Sequence, residues 1–550
     1  MLAGAAVAAL VLMPVPAVAK LKTSPGDPAY LYLEARAAAI GGDHARSAQL
    51  LSALAEAEPA NEDLNRRALS EAIGAGDMEL AVRLARTMPP GKLSSDARML
   101  LVADEVRRGR FDKARQWLAV TGENGTTLDF LAPVIDAWAA ADRRDLNGAL
   151  QALDRMPPRL ESLRAEQRAL ILLKFRRAAE ALPFAERAVE SARGRENRLR
   201  LAFADGFLAA GDQASALKMV EGMGAEAGPA RQRIQSRKGN GQAIDTPSEA
   251  LSEIALSFAI DVARIQRATP PTGLAQVARF ANPKSSSAAL LLAILLQGNG
   301  RSRDALAVLR TVPADDSLIG QVRDLQVRIL SDDKKFTEAY AIAAAVAFAP
   351  NATMSDWSRL GDVYQSMKRY PQAADAYGRA IALARAQGLK DELWPLLLLQ
   401  AAALEEGKRW PEAKQALLAG LEIAPDQPLL LNFLGYAKLE RGEDLDGAEA
   451  MIAKASALAP DDASITDSLG WAQFKRGKLD EAIATLQRAA EKDPDQAEIQ
   501  EHLGDALYTS GRRFQARFAW AASLVTAEDE IAVRVKAKLA RGLTPANAAP

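Results

Sequence analysis

The chain has no cysteine among its 550 residues and only two histidines, His44 and His502. These absences remove disulfides, thiol catalysis, lipid modification of an N-terminal cysteine and any Cys- or His-rich metal site. Aromatic residues make up 5% of the chain, and the alternating β-branched runs that mark strands are missing, so an all-α fold is expected. Charge of one sign is lacking too: 69 Lys and Arg stand against 70 Asp and Glu, a net charge of −1. No polyanion-binding field follows, and nucleic acid is not an expected partner. Phosphate-loop, nucleophile-elbow and zinc-protease signatures are absent. Gly298-Asn299-Gly300 begins like a phosphate loop but follows no strand, so it reads as a turn. His502 is expected on the surface or in a groove rather than as a catalytic base. The expectation is a protein that is no enzyme and has no cofactor or metal.

A marked apolar run stands at the N-terminus. Leu2–Met13 are apolar, Pro14 and Pro16 break any helix, and Ala17-Val18-Ala19 precedes Lys20. The run is short for a membrane span, and it reads as a secretory signal peptide over residues 1–19, cleaved near Ala19. One feature of such a leader is missing, since no Lys or Arg precedes the apolar run. The expected location is the periplasm, without a lipid anchor and without a transmembrane span in the mature chain.

What the chain does have is a period. Leu434-Gly435, Leu469-Gly470 and Leu503-Gly504 are spaced 35 and 34 residues apart. Ala448, Ala482 and Ala516 follow at 34 and 34, and Pro460 and Pro494 are also 34 apart. Such a period predicts stacked helix–turn–helix units. Between Ala463 and Gln496, Leu469, Trp471 and Phe474 recur at helical intervals, and Gly477 breaks the run. Ala482, Ile483, Leu486 and Ala489 form a second amphipathic run that Pro494 stops, with Asp495 placed to cap the next helix. Gly470 and Ala482 fall where two antiparallel helices must approach closely.

The same wording extends through the chain. Ala48, Ala81, Ala114 and Ala149 lie 33, 33 and 35 apart, each after a turn such as Gly76-Asp77. The pattern blurs around Arg176–Glu190, where Pro183 is expected to kink a helix. Ala305, Ala339 and Ala373 lie 34 and 34 apart, and a spacing of 40 to Ala413 lengthens one unit. The expected organisation is degenerate repeats over 28–222, an irregular helical or linker segment over 223–284, repeats over 285–525, and a capping helix with a frayed tail over 526–550. The Gly- and Pro-rich segment marks either a seam between two halves or a decorated loop within one superhelix.

These units resemble the tetratricopeptide repeat, with Gly435, Gly470 and Gly504 in first helices and Ala448, Ala482, Ala489 and Ala516 in second helices at the family's small-residue positions. Pro494 stands at its closing proline. Thr466 departs from it, standing where the family often has Trp. The resemblance implies a right-handed superhelix of antiparallel helix pairs, a protein-binding solenoid whose first helices line a groove. It assigns to that groove Asn432, Tyr436, Asp467, Trp471, Phe474, Lys475, Glu498, Glu501, Asp505 and Tyr508. The other reading is that Trp471 and Phe474 only fill the space between helices.

Over roughly Asp426–Leu524 the wording is similar to a proteobacterial family of exported multi-repeat proteins. That family includes the LbcA-type lipoprotein adaptor, which brings cell-wall hydrolases to a C-terminal processing protease. The resemblance implies a scaffold or adaptor with such partners. The family's lipidated cysteine has no counterpart here. A structural component of an envelope complex and a cytoplasmic regulatory repeat protein are the alternatives.

Overall fold

The structure, a computed structural model, describes residues 27–223, 227–265 and 270–549. The expected signal peptide, with Ala19 and Lys20, lies outside the described residues. Among these, the chain forms thirty α-helices and no strand. No helix among them is long and apolar enough to cross a membrane. The chain divides into two compact units, Met1–Val322 and Arg323–Pro550.

The first unit opens with six hairpins. They are α1 (Pro28–Ile40) with α2 (His44–Ala57), α3 (Glu62–Ala75) with α4 (Met78–Thr87), and α5 (Ser95–Arg107) with α6 (Phe111–Ala119). Then come α7 (Ala132–Asp142) with α8 (Leu146–Asp154), α9 (Glu161–Lys174) with α10 (Ala178–Glu190), and α11 (Glu196–Ala209) with α12 (Gln213–Glu221). Three further helices follow: α13 (Ala227–Gln235), α14 (Pro247–Ala263) and α15 (Thr272–Ala281). The hairpin of α16 (Ser286–Gly298) and α17 (Ser302–Leu309) ends the unit, and the division falls inside α18 (Ile319–Asp332).

The second unit continues with α19 (Phe336–Ala347), α20 (Met354–Ser366), α21 (Tyr370–Ala386), α22 (Leu393–Glu406) and α23 (Trp410–Ile423). Its last hairpins are α24 (Pro428–Glu440) with α25 (Leu445–Leu458), α26 (Ala463–Lys475) with α27 (Leu479–Lys492), and α28 (Ala497–Thr509) with α29 (Arg513–Thr526). A single helix, α30 (Asp529–Arg541), follows.

One turn recurs through both units. The chain leaves a first helix through a left-handed residue, which is glycine at Gly42, Gly76, Gly109, Gly211, Gly300, Gly442, Gly477 and Gly511. At Arg144, Arg176, Lys334, Lys368 and Lys408 the same conformation is held by a basic side chain, with φ of 64°, 58°, 59°, 56° and 61°. The hydrogen bonds do not change: Asp77 donates to the Ala72 carbonyl at 3.0 Å, and Arg177 to that of Leu172 at 2.9 Å. This closes the free carbonyls of the first helix in a Schellman arrangement. A cation also suits the negative end of the helix. After Gly42, Gly76 and Gly211 the next residue is Asp, whose carboxylate accepts a backbone N–H of the second helix. Helix stop and helix start thus come as one dipeptide.

Arg176 is why the pattern blurs in sequence. The hairpin α9–α10 is regular, its small-residue position is the fully buried Ala181, and α10 continues through Pro183 from Ala178 to Glu190. The 223–284 segment is not the seam, because the units divide at Val322. Nor is it a spacer. Helix α14 packs against α5 and α7, and α15 against α3 and α5. The Phe258 ring lies 6.0 Å from that of Phe130, and the Arg107 guanidinium sits 4.1 Å over the ring of Phe280. Glu253, on α14, pairs with Arg198 and approaches Arg195 to 4.0 Å. First helices of the N-terminal hairpins are therefore covered by the chain itself.

Candidate protein-binding surface

The small residues named from the period set the spacing of the last three hairpins. Ala448, Ala482, Ala489 and Ala516 are fully buried. A Cβ on Gly435 would stand 2.7 Å from Cγ1 of Ile452, and one on Gly470 2.6 Å from Cγ of Leu486. At Gly504 it would collide with the Trp520 indole. Each glycine thus lets a first helix lie against its own second helix. Pro494 is exposed in the link between α27 and α28. Asp495 does not cap α28: the capping position is Gln496, without a side-chain bond, and the Asp495 carbonyl accepts from Thr526 Oγ1 at 2.6 Å.

The expected groove residues separate into two sets. Trp471 is 1% exposed and Asp467 6%, so neither stands in an open groove. The Trp471 indole is sandwiched, 4.1 Å from the His502 ring and 4.8 Å from Phe474. His502 is also buried, not at the surface, and its Nδ1 lies 2.8 Å from Asp467 Oδ2. Burial works against the imidazolium, but the carboxylates of Asp467, Glu498 and Asp505 outweigh it, so His502 holds its proton above the ordinary histidine value. Trp471, Asp467 and His502 are thus a joint between α26 and α28.

Glu501 and Asp505 are likewise interior. Arg534 of α30 grips Glu501 with two nitrogens at 2.9 and 3.1 Å, and Lys538 Nζ reaches Glu501 at 2.6 Å and Asp505 at 2.7 Å. Trp520 Nε1 donates to Asp505 at 2.9 Å. Burial pushes Glu501 up, yet Arg534 and Lys538 hold it below the usual carboxylate value. Burial prevails at Asp505, which lies above its usual value despite Lys538. The tail is not frayed. Asn547 bridges the Thr544 N–H and the Gly542 carbonyl, and the Ala549 N–H donates to Asp505 at 3.0 Å. Residues 542–549 of the chain itself occupy this part of the first-helix face.

The second set remains accessible. Asn432, Tyr436, Phe474 and Tyr508 are half-buried, while Lys475 and Glu498 are exposed. Burial raises the Tyr436 phenol, and Glu440, Glu498 and Asp467 add to the effect, so these carboxylates from α24, α26 and α28 converge on one ring. Lys475 Nζ lies 3.6 Å from Glu440 and 5.4 Å from the centre of the Trp471 ring. Beneath, Asn432 Oδ1, Asp467 Oδ1 and His502 Nε2 have no hydrogen-bond partner. Sequence reasoning missed Glu440 and the inward turn of His502. Asp467 and His502 are 35 residues apart, one repeat, and that spacing is the signal that pairs them. No group of His, Asp and Glu among the described residues is arranged to hold a metal.

Helical hairpins at this period, with small residues at the helix crossings and left-handed turns between, define a solenoid built of tetratricopeptide repeats. This protein is such a solenoid, and residues 470–511 match the family model described as TPR repeat. No curated protein matches the chain. Among solved structures, it is similar to the APC/C hetero-tetramer Cut9–Hcn1 at 13% identity, over 94% of this chain and 97% of that one, with a TM-score of 0.37. A tetratricopeptide repeat protein from Parabacteroides merdae aligns at 13% identity over 46% of this chain and 96% of its own, TM-score 0.37. MamA of AMB-1 aligns at 20% identity over 33% and 96%, TM-score 0.25. Repeats of this kind are typically non-catalytic surfaces for protein–protein interaction.

Proposed function

We propose that this protein is a non-enzymatic scaffold of the bacterial cell envelope, which holds a partner protein on the first-helix face of α24, α26 and α28. The observation that carries this reading is the half-buried Tyr436 of α24, whose phenol feels Glu440 of the same helix and the exposed Glu498 of α28, with the half-buried Asn432 and Phe474 also on first helices. Aromatic anchors beside acceptors suit a peptide that offers backbone N–H groups and an apolar side chain. The N-terminal apolar run before Ala17-Val18-Ala19 supports export. The similarity over Asp426–Leu524 supports a processing protease or a cell-wall hydrolase as partner.

The test is crosslinking and capture from cells with a tagged full chain. Tyr436→Ala combined with Glu498→Gln alters the strip and keeps Asp467, the main counter-charge of His502. It should reduce capture of the principal partner about tenfold or more, as loss of an interface anchor does, with an unchanged helical circular dichroism spectrum. Capture at the wild-type level would refute the assignment. Fractionation tests export separately: the mature protein should be periplasmic and begin at Lys20.

A second reading, that the repeats hold an assembly together, draws on α29. Phe514 and Phe518 are 75% and 62% exposed on this second helix, stacked edge-to-face at 4.8 Å. An assembly role predicts that Phe514→Ser with Phe518→Ser, and not the Tyr436 pair, releases the bound proteins.

A further inference from the structure

The geometry points to a binding site for a small amphiphilic anion in the first unit, independent of the protein-binding strip. A cavity of about 280 Å³ opens between α9, α11 and the segment ahead of α14. Its lining includes Leu170 and Leu173, which are 1% and 4% exposed, together with the half-buried Lys174 and the exposed Arg144, Arg176 and Asp245. The volume lies just under the ~300 Å³ at which small-molecule sites begin. It suits a short apolar chain or the end of a longer one.

The charge balance selects the ligand. Three cations and one carboxylate share the lining. Lys174 Nζ donates to the backbone carbonyl of Asp245 at 2.6 Å, which leaves its charge uncompensated. Arg144 and Arg176 make no ion pair or side-chain hydrogen bond among the described residues. Both follow the C-terminus of a first helix, α7 or α9, and each helix end contributes roughly half a negative charge. Adding Asp245, the negative side comes to about two charges against three. A group with at least one negative charge and an apolar body offsets the cations, its anion beside the two arginines and its chain along Phe175 and Ile244, the half-buried apolar residues of the lining. A carboxylate supplies one such charge, and a phosphate monoester between one and two near neutral pH.

Arg144 and Arg176 hold left-handed turns, with φ of 64° and 58°. Glycine fills that position in eight other hairpins. Arg144→Gly with Arg176→Gly therefore removes the charge while relieving the backbone, so the double variant should fold and melt no lower than wild type. Binding of octanoate, octyl phosphate, octanol and octylamine to the full chain would be measured by calorimetry and by melting temperature. Octanoate, octyl phosphate or both should bind at least tenfold more tightly than octanol and octylamine. The two arms separate a carboxylate ligand from a phosphate one. The double variant should lose tenfold or more of that affinity, and salt at about 0.5 M should weaken binding of the anion but not of octanol. Octanol binding as tightly as both anions, no binding of either anion, or unchanged anion affinity in the double variant would each overturn the assignment. If the variant does not fold, the comparison of ligands and the salt response on the wild type decide alone.

Discussion

Asp467 Oδ2 and His502 Nδ1 lie 2.8 Å apart in the interior, one repeat apart in sequence, with the Trp471 indole stacked on the imidazole. The pair ties the first helices of two neighbouring hairpins at a site closed to solvent. His502 holds its proton above the ordinary histidine value because nearby carboxylates outweigh burial.

That relationship sets a pH dependence. A group whose value is raised on folding lends stability that is complete below its unfolded value, near 6.5, and is lost as pH rises through the higher folded value. The C-terminal unit should therefore become less stable from about pH 6.5 upward, by urea unfolding at a series of pH values. His502→Gln should flatten that slope whatever its effect on absolute stability. An equal slope in the variant would show that another group is responsible.

The Glu501 network behaves oppositely. Its carboxyl is held low by Arg534 and Lys538, so its stabilisation is present above the unfolded value, near 4.3, and disappears as pH falls through the folded one. Glu501→Gln leaves Arg534 and Lys538 without their main counter-charge. Breaking one side of a buried pair commonly costs about 3–5 kcal/mol. Chemical denaturation at pH 7 should show a loss of that order, shrinking toward acid. No loss at pH 7 would mean that solvent replaces the pair.

Helix spacing gives a third expectation. A methyl group on Gly470 would press on the Leu486 side chain at 2.6 Å, and overpacking of this kind costs about 1–3 kcal/mol. Gly470→Ala should lower the melting temperature, and Ala482→Leu should do the same from the facing helix, since Ala482 is fully buried. The two variants combined should be less than additive, because they enlarge one crossing. Unchanged melting in either would place the close approach elsewhere.

What the sequence made legible follows from what repeats. Ala448, Ala482 and Ala516 mark helix crossings because any larger side chain there pushes two backbones apart, so the period survives drift elsewhere. The turn is more tolerant: Arg176 adopts the glycine conformation with its hydrogen bonds intact, and the hairpin it serves loses its visible landmark. First-helix residues were harder to place. Periodicity assigns Trp471 to one helix face but does not decide whether the next helix carries His502 or open water against it. The return of α14 and α15 onto α3, α5 and α7 obeys no period at all. It is fixed by contacts such as Phe130 with Phe258 and Arg107 with Phe280, which lie far apart in sequence.

The folded tail yields the last prediction. Residues after Gly542 resemble a loose end by composition, but Asn547 and Ala549 are 8% and 6% exposed, and the Ala549 N–H completes the set of donors around Asp505. Ending the chain at Arg541 would remove that donor and the Asn547 bridge while keeping Lys538 and Arg534. Asp505 would still face Lys538 and Trp520, so the helix pair should remain folded. The lost interactions should lower stability by about 1–3 kcal/mol, the cost of leaving a buried acceptor short of a donor. In a repeat array each hairpin is stabilised mainly by its neighbours, so the effect should be local. Hydrogen exchange should accelerate first in α28, α29 and α30, then in α26 and α27, and leave α19 to α21 unchanged. Uniform acceleration across the second unit would mean that it unfolds as one block and not hairpin by hairpin. No acceleration would mean that the tail rests on α28 without supporting it.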